Sequence, residues 1–346
     1  TNSVSVVVPA YNAASTLPQC LSAIRSSSMT IRELIVYDDC SSDNTAQIAR
    51  SFGAHVVSGK DNVGPAVGRN RGAMQATADV VVFIDADVVV EPGAIGHLAQ
   101  AIDGEDVKAA FGAYTDHSRV THLAGRYANL RHAFTHVDAG LRGEVAETFW
   151  SGLGAIDRIA FLAVGGFDKT YARPCIEDVE LGVRMRRAGW KIAIVPAARG
   201  EHLKNWTLKG LWETDIKHRA LPWSKLICQG RISGTLNTRP TEMMKTVLAY
   251  LTVASAVLAA VLQGAWIAAP VLCFSAFLML NLPFIRWLGR DSIALAVVGA
   301  LLHFLYFLYA AATYAFVMAR FRLRHRKPAF GLLLPAQRAV AKLWRG

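Results

Sequence analysis

Six carboxylates fall in three tight groups: Asp38-Asp39, Asp85-Ala-Asp87 and Glu177-Asp178. The first two groups directly follow apolar runs, Glu33-Leu-Ile-Val-Tyr37 and Asp79-Val-Val-Val-Phe-Ile84. Acids gathered on one rim repel one another unless a cation or a ligand joins them. That suits chemistry in which a hard divalent cation neutralises negative charge. Taken singly, each acid also suits a turn or a helix cap, and Glu177-Asp178 at a helix start suits the helix dipole. Two glycine-rich turns, Trp150-Ser-Gly-Leu-Gly-Ala155 and Val164-Gly-Gly-Phe-Asp168, allow backbone to approach a ligand closely.

The elements that must hold these groups follow from the pattern. Val4–Val8, closing on Pro9, reads as a buried parallel strand, as do Glu33–Tyr37, His55–Val57 and Asp79–Ile84. Helical patterns run through Leu17, Leu21 and Ile24, from a cap at 41–45 to Gly53, and over Arg69–Ala76. A helix is expected from Ile176 to Ala188, stopped by Gly189, then a strand from Trp190 to Val195 ending at Pro196. Strands alternating with helices predict a three-layer α/β/α sheet with ligands at the strands' carboxyl ends. Residues 111–150 carry no clear period; His117, His122, His132 and His136 are spaced too irregularly for a metal site and read as solvated helix positions.

The 346 residues carry 37 Lys/Arg and 26 Asp/Glu. From Lys245 onward there are 11 basic residues and one acid, so the first 244 residues are nearly neutral. The basic excess flanks apolar runs, which favours an anionic membrane over nucleic acid as its partner, and no nucleic-acid-binding motif occurs. Five cysteines without Cys-x-x-Cys spacing read as reduced and structural, in a cytosol-facing domain with no signal peptide.

Taken in order, Val-Val-Val-Pro-Ala-Tyr-Asn (6–12), Asp-Asp-Cys-Ser-Ser-Asp (38–43), Asn-Val-Gly (62–64) with Gly-Arg-Asn-Arg-Gly (68–72), Asp-Ala-Asp (85–87), Val-Gly-Gly-Phe-Asp (164–168) and Glu-Asp (177–178) resemble the family 2 glycosyltransferases. The resemblance covers residues 3 to about 225. It implies an inverting enzyme with a Rossmann-like GT-A catalytic domain over 1–225, using a nucleotide-diphosphate sugar and Mg²⁺ or Mn²⁺. It also implies roles. Pro9, Ala10 and Tyr11 form the nucleotide floor, with Asp39 on the base, Gly64 and Gly152 where backbone meets the donor, and Arg69 near base and phosphates. Asp85 lies near the ribose or a metal-bound water, and Asp87 is the primary metal ligand, with His202 as a second ligand or a surface histidine. Asp178 is the general base and Glu177 supports its geometry. On the acceptor side, Arg219 and Trp223 stand where polysaccharide synthases carry Gln-x-x-Arg-Trp, but Gln is absent and the spacing differs. Cys40 stands where many relatives have glycine.

After an amphipathic linker at 226–245, Thr246–Ile285 holds no charged residue over 40 positions. As helix it would be about 60 Å long, twice a hydrocarbon core of about 30 Å. It reads as a transmembrane hairpin turning near Gln263-Gly264. Ser292–Ala319 is a further apolar segment, followed by a basic tail at 320–346. The expectation is a multi-pass cytoplasmic-membrane enzyme with a cytosolic catalytic domain and tail, acting on a lipid or lipid-linked acceptor. A processive polysaccharide synthase and a catalytically inactive scaffold subunit are the alternatives.

Overall fold

The computed structural model describes residues 2–324 apart from 103, 105, 117, 118, 144, 233–238 and 263. The basic tail beyond Arg324, with Arg326, Lys327 and Trp344, lies outside the described residues, as do His117 and part of the expected linker.

Eight strands form one sheet in the order β3-β2-β1-β4-β7-β6-β8-β5. The strands are β1 Val4–Ala10, β2 Glu33–Asp38, β3 His55–Ser58, β4 Val80–Ile84, β5 Val88–Val90, β6 Val107–Tyr114, β7 Leu153–Asp157 and β8 Lys191–His202. The first four pair in parallel, as their apolar runs predict. Alternation along them fills both faces. Val6, Val8, Val36 and Val82 pack under Leu17, Leu21 and Ile24 of helix α1 (Leu17–Arg25). Val7, Ile35, Val81 and Phe83 pack against Ala66 and Ala73 of α3 (Pro65–Gln75) and Leu181 and Met185 of α7 (Glu177–Arg187). The helix α2 (Thr45–Ser51) lies between β2 and β3 in the chain, α4 (Ala94–Ala101) between β5 and β6, and α6 (Arg158–Ala163) directly after β7.

The second half of the sheet departs from expectation. β7 runs antiparallel to β4 and to β6. Its segment reads in sequence as a glycine-rich turn, yet a strand forms because Gly154 lets the chain pass where a Cβ would lie 2.3 Å from the Trp150 carbonyl. β8 does not stop at Pro196. Pairing with β6 shifts register between Phe111 and Ala113, whose partners are Ile194 and Arg199, so residues 195–198 bulge out around the proline. Gly112 makes the bulge possible, since a Cβ there would meet the Ala198 oxygen at 2.0 Å. Beyond the bulge β8 pairs with β5 and brings His202 opposite Val88, beside Asp87.

Past the sheet, α5 (Leu123–Leu141) and the chain Leu208–Cys228 complete the half of the molecule built on the sheet. The latter is α8 (Leu208–Glu213), a π-helix (Thr214–Ala220) and α9 (Leu221–Cys228). His136 is buried, with its Nδ1 3.1 Å from the Gly112 oxygen, and His132 packs on Trp150 at 4.7 Å. The reading of these two histidines as solvated is thus corrected: α5 is covered by β6 and β8 on one side and by C-terminal helices on the other.

Those helices are α10 (Pro240–Leu262), α11 (Ala268–Leu280), α12 (Leu282–Gly289) and α13 (Ile293–Arg324), with a short 3₁₀ turn before α11. The helices α10 and α13 are each long and apolar enough to cross a membrane; α11 and α12 form a pair bent by 68°, a broken span or a re-entrant loop. The expected hairpin therefore has one straight leg. Its second leg breaks at Asn281, where Pro283 starts a new helix and α11 alone, with 13 residues, rises only about 20 Å.

Candidate active site

The three acid groups meet on one rim. Asp85 follows β4 and its N–H donates to the Gly152 carbonyl at 3.1 Å, so the start of β7 fixes it. Ser151, just before β7, donates its N–H to Asp178 Oδ2 at 3.1 Å; Val179 N–H donates to Asp178 Oδ1 at 2.8 Å. Arg69, 4% exposed on α3, ties the remaining pair: Nη2 donates to Asp85 Oδ1 at 2.7 Å and Nη1 to Glu177 Oε1 at 2.8 Å. Glu177 also accepts the Cys175 N–H at 2.8 Å. The resemblance puts Arg69 at the base and phosphates; here its guanidinium is engaged by carboxylates, linking the end of β4 to the start of α7. Glu177 is a strut in the same link. Asp178 is left with its carboxyl on the cavity wall, pushed up to about 6 by burial and then by the neighbouring Glu177 charge, against the pull of Arg69. Burial also pushes the Asp85 carboxyl up, with Arg69 pulling against it.

Asp39 accepts N–H bonds from Val63 at 2.9 Å and Gly64 at 2.8 Å, and so holds the loop before α3. Gly64 has φ +88°, and a Cβ would lie 2.3 Å from the Ala172 oxygen. No other residue fits without moving the loop at Ala172. Cys40 sits at φ 63°, the left-handed conformation that glycine favours, so the turn keeps that backbone despite the substitution. Pro9, Ala10, Tyr11, Asp39 and Gly64 line one end of the cavity, where the Tyr11 ring is 53% exposed.

His202 is buried and not a surface residue: its ring stacks on Tyr114 at 4.5 Å, and Nε2 lies 3.3 Å from Asp87 Oδ2. Its protonation on the far side follows from Asn129 of α5. Trp206 Nε1–H, which can only donate, gives a bond to Asn129 Oδ1 at 3.1 Å, while Asn129 Nδ2 donates to the His202 carbonyl at 3.2 Å. Both contacts set the amide the same way. His202 Nδ1, 2.9 Å from that same Oδ1, must then be the donor. In the neutral ring Nε2 therefore presents a lone pair toward the Asp87 carboxylate. Two electron-rich atoms at that distance need a proton or a cation between them. Burial acts to raise Asp87, but His202 and then Lys204 hold it below the usual carboxylate range. Asn129 gave no signal in sequence; a single Asn within a helix points to nothing until the fold brings residues 202 and 206 to it. Replacing it by Leu is expected to free the His202 imidazole to adopt either tautomer, read from its ring-nitrogen shifts by NMR.

Arg219 and Trp223 reach the same cavity from the π-helix and α9. Arg219 Nη1 lies 3.2 Å from Asp215 Oδ1, and Trp223 Nε1 is buried with no hydrogen-bond partner among the described residues. The cavity is about 2010 Å³. A pocket for one small molecule is typically about 300–1,000 Å³, so this one has room for two substrates.

Residues 5–162 match the description "Glycosyl transferase family 2". An uncharacterized glycosyltransferase of Escherichia coli, YibD, is 38% identical over 96 residues, 27% of this chain and 28% of its own length, so the match spans little more than a quarter of that relative. The O-antigen chain rhamnosyltransferase RfbN of Salmonella typhimurium is 24% identical over 233 residues, covering 64% of this chain and 74% of its own. Among solved structures, a mannosyltransferase of Pyrobaculum calidifontis, in complex with GDP-Man and Mn²⁺, aligns over 91% of this chain and 87% of its own with TM-score 0.60 and 20% identity. That likeness extends the GT-A fold to this chain. The chain thus carries a glycosyl transferase family 2 segment over residues 5–162, a little under half of its length, and that segment's acids Asp39, Asp85 and Asp87 stand on the rim of this fold.

Proposed function

We propose that the enzyme transfers one sugar, with inversion, from a nucleotide-diphosphate donor to a hydroxyl of a lipid or lipid-linked acceptor at the cytosolic membrane face. The observation that carries the acceptor class is the continuity of the cavity. From Asp39 and Gly64 it passes Asp87 and Asp178 and runs on to Met243 and Val247 of α10 and Phe307, Ala310 and Tyr314 of α13. One end suits a nucleotide; the other is lined mainly by apolar side chains, with Glu242 and Thr246 of α10 and His303 of α13 among them, and is bordered by the two helices able to cross a membrane. An amphiphile entering there would bring its head to Asp178 while its chain stays among α10 and α13.

The residues divide the work accordingly. Tyr11 and the backbone at Pro9-Ala10 form the floor for the base, and each Asp39 oxygen keeps a lone pair for a base N–H. Asp178, at about 6, is ionised at neutral pH and basic enough to take the acceptor hydroxyl proton as that oxygen attacks the anomeric carbon. Arg69 and Glu177 keep the Asp178 backbone in register with Asp85. Asp87 and His202 fit a hard divalent cation, Mg²⁺ or Mn²⁺, by their oxygen and bare-nitrogen donors. Among the described residues no three His, Cys, Asp or Glu side chains converge. A two-residue site still suits an ion that takes its remaining ligands from a substrate diphosphate and water. Such an ion would supply Lewis-acid charge to the leaving diphosphate.

The test is a panel of nucleotide sugars assayed by nucleoside-diphosphate release with and without a lipid extract of the producing organism. One donor is expected to be consumed faster with lipid. Release that no lipid accelerates for any donor would remove the acceptor class.

A further inference from the structure

The apolar helix α13 reads as an anchor, yet its middle is bonded into the catalytic half. Tyr309 Oη donates to Asp215 Oδ2 at 2.6 Å. Asp215, 2% exposed, also takes Arg131 Nη2 on both oxygens, at 2.7 and 2.8 Å, and Arg219 Nη1 at 3.2 Å. The Arg131 guanidinium lies 4.3 Å from the centre of the Tyr306 ring, one turn back on α13. Burial alone would push the Asp215 carboxyl up, but Arg131 and then Arg219 hold it below the usual range, so the site keeps a charge. Two guanidinium groups share one carboxylate, and all three residues line the cavity where it turns from Asp178 toward the membrane helices.

The segment that carries Asp215 and Arg219 makes these ties matter. Thr214–Ala220 is a π-helix between two α-helices, a form mostly found as a short insertion at functional sites. The position of Arg219, 42% exposed at the cavity, then depends on what Asp215 is bonded to.

We infer that Asp215 is a positioning residue which, held by Tyr309 of the membrane helix, fixes Arg131 and Arg219 on the acceptor-side wall, so that α13 sets acceptor affinity as well as anchoring the chain. This rests on the lipid-acceptor reading. The excess positive charge at this bend suits an anionic or strongly polar head group. A purely structural role for the cluster would lower stability without separating acceptor from donor.

The experiment compares Tyr309→Phe with Tyr250→Phe. The first keeps the ring and removes one bond to Asp215. The second removes a different tie to α13, from Tyr250 Oη to the Leu308 carbonyl at 2.8 Å, and leaves the cluster intact. Nucleoside-diphosphate release is measured in detergent micelles against increasing amounts of total lipid extract, and separately against donor. Tyr309→Phe is expected to raise the half-saturating lipid concentration about tenfold, the size of one hydrogen bond to a charged group, with donor KM unchanged and Tyr250→Phe like wild type. An unchanged lipid requirement in Tyr309→Phe, an equal rise in Tyr250→Phe, or a parallel rise in donor KM would overturn the proposal. Wild type showing no lipid dependence would instead remove the acceptor reading beneath it.

Discussion

Asp178→Asn is expected to lower transfer by about 10²–10⁴-fold, the usual contribution of a positioned general base, while donor affinity stays within about twofold of wild type. The asparagine keeps the shape, and its Oδ1 still accepts from Ser151 or Val179, so the start of α7 holds. What is lost is the proton acceptor. The pH profile carries the same claim. Asp178 sits at about 6, so kcat/KM should rise with pH through about 6 as the carboxyl ionises and fall off below it. The residual activity of Asp178→Asn should lack that limb. The variant is also expected to fold at least as well above pH 6. Folding raises this carboxyl from its ordinary 3.8, so its contribution to stability is complete only below about 3.8 and is gone once pH passes about 6. A stable protein with turnover lowered to that extent and intact donor binding, measured by calorimetry and thermal melting, separates catalysis from folding.

The second large effect is expected at Asp87. Asp87→Asn should cost about 10²–10³-fold in metal-dependent turnover, because Lewis-acid stabilisation of a leaving diphosphate is worth several kcal/mol and each 1.36 kcal/mol is tenfold. Asparagine is the informative replacement. Its amide can donate to the His202 Nε2 lone pair, which the Asn129 geometry leaves facing this position. The pair then satisfies itself without a cation and the local fold survives. Half-maximal Mn²⁺ concentration, read by nucleoside-diphosphate release and by direct titration, should rise steeply. Wild-type turnover undiminished in excess chelator would remove the role given to Asp87 and His202.

Which parts could be read in sequence follows from range. The strands β1, β2 and β4 announce themselves as apolar runs, and the acids behind β2 and β4 are neighbours in the chain, so Asp39, Asp85 and Asp87 could be singled out, while Asp178 stands out with Glu177 at the start of a helical pattern. The helix α7 was legible from its acids and Gly189. Strands β6 and β7 were not, because small residues such as Ala109, Ala110 and Gly154 pack them by close backbone approach instead of by β-branched bulk. Pro196 signalled a strand end locally, but the bulge opposite Gly112 absorbs it, and with it comes the placement of His202. The bend in the second apolar leg is illegible for a similar reason: composition marks apolar length, while Asn281 and Pro283 decide where the helix bends. Asn129, Asp215 and Tyr309 act through partners 73 to 94 residues away, a distance no local pattern spans. Arg69 shows the converse. Its motif was visible, yet its two carboxylate partners change what the guanidinium does.

The most direct measurement follows the sugar itself. With the donor found by the panel, labelled in its sugar, the purified enzyme is incubated with lipid extract and the product is partitioned, sized and examined by NMR at its anomeric carbon. The account predicts label in the organic phase, one sugar per lipid, with the anomeric configuration opposite to that of the donor. Label in a long water-soluble polymer, or a product with retained configuration, would contradict it.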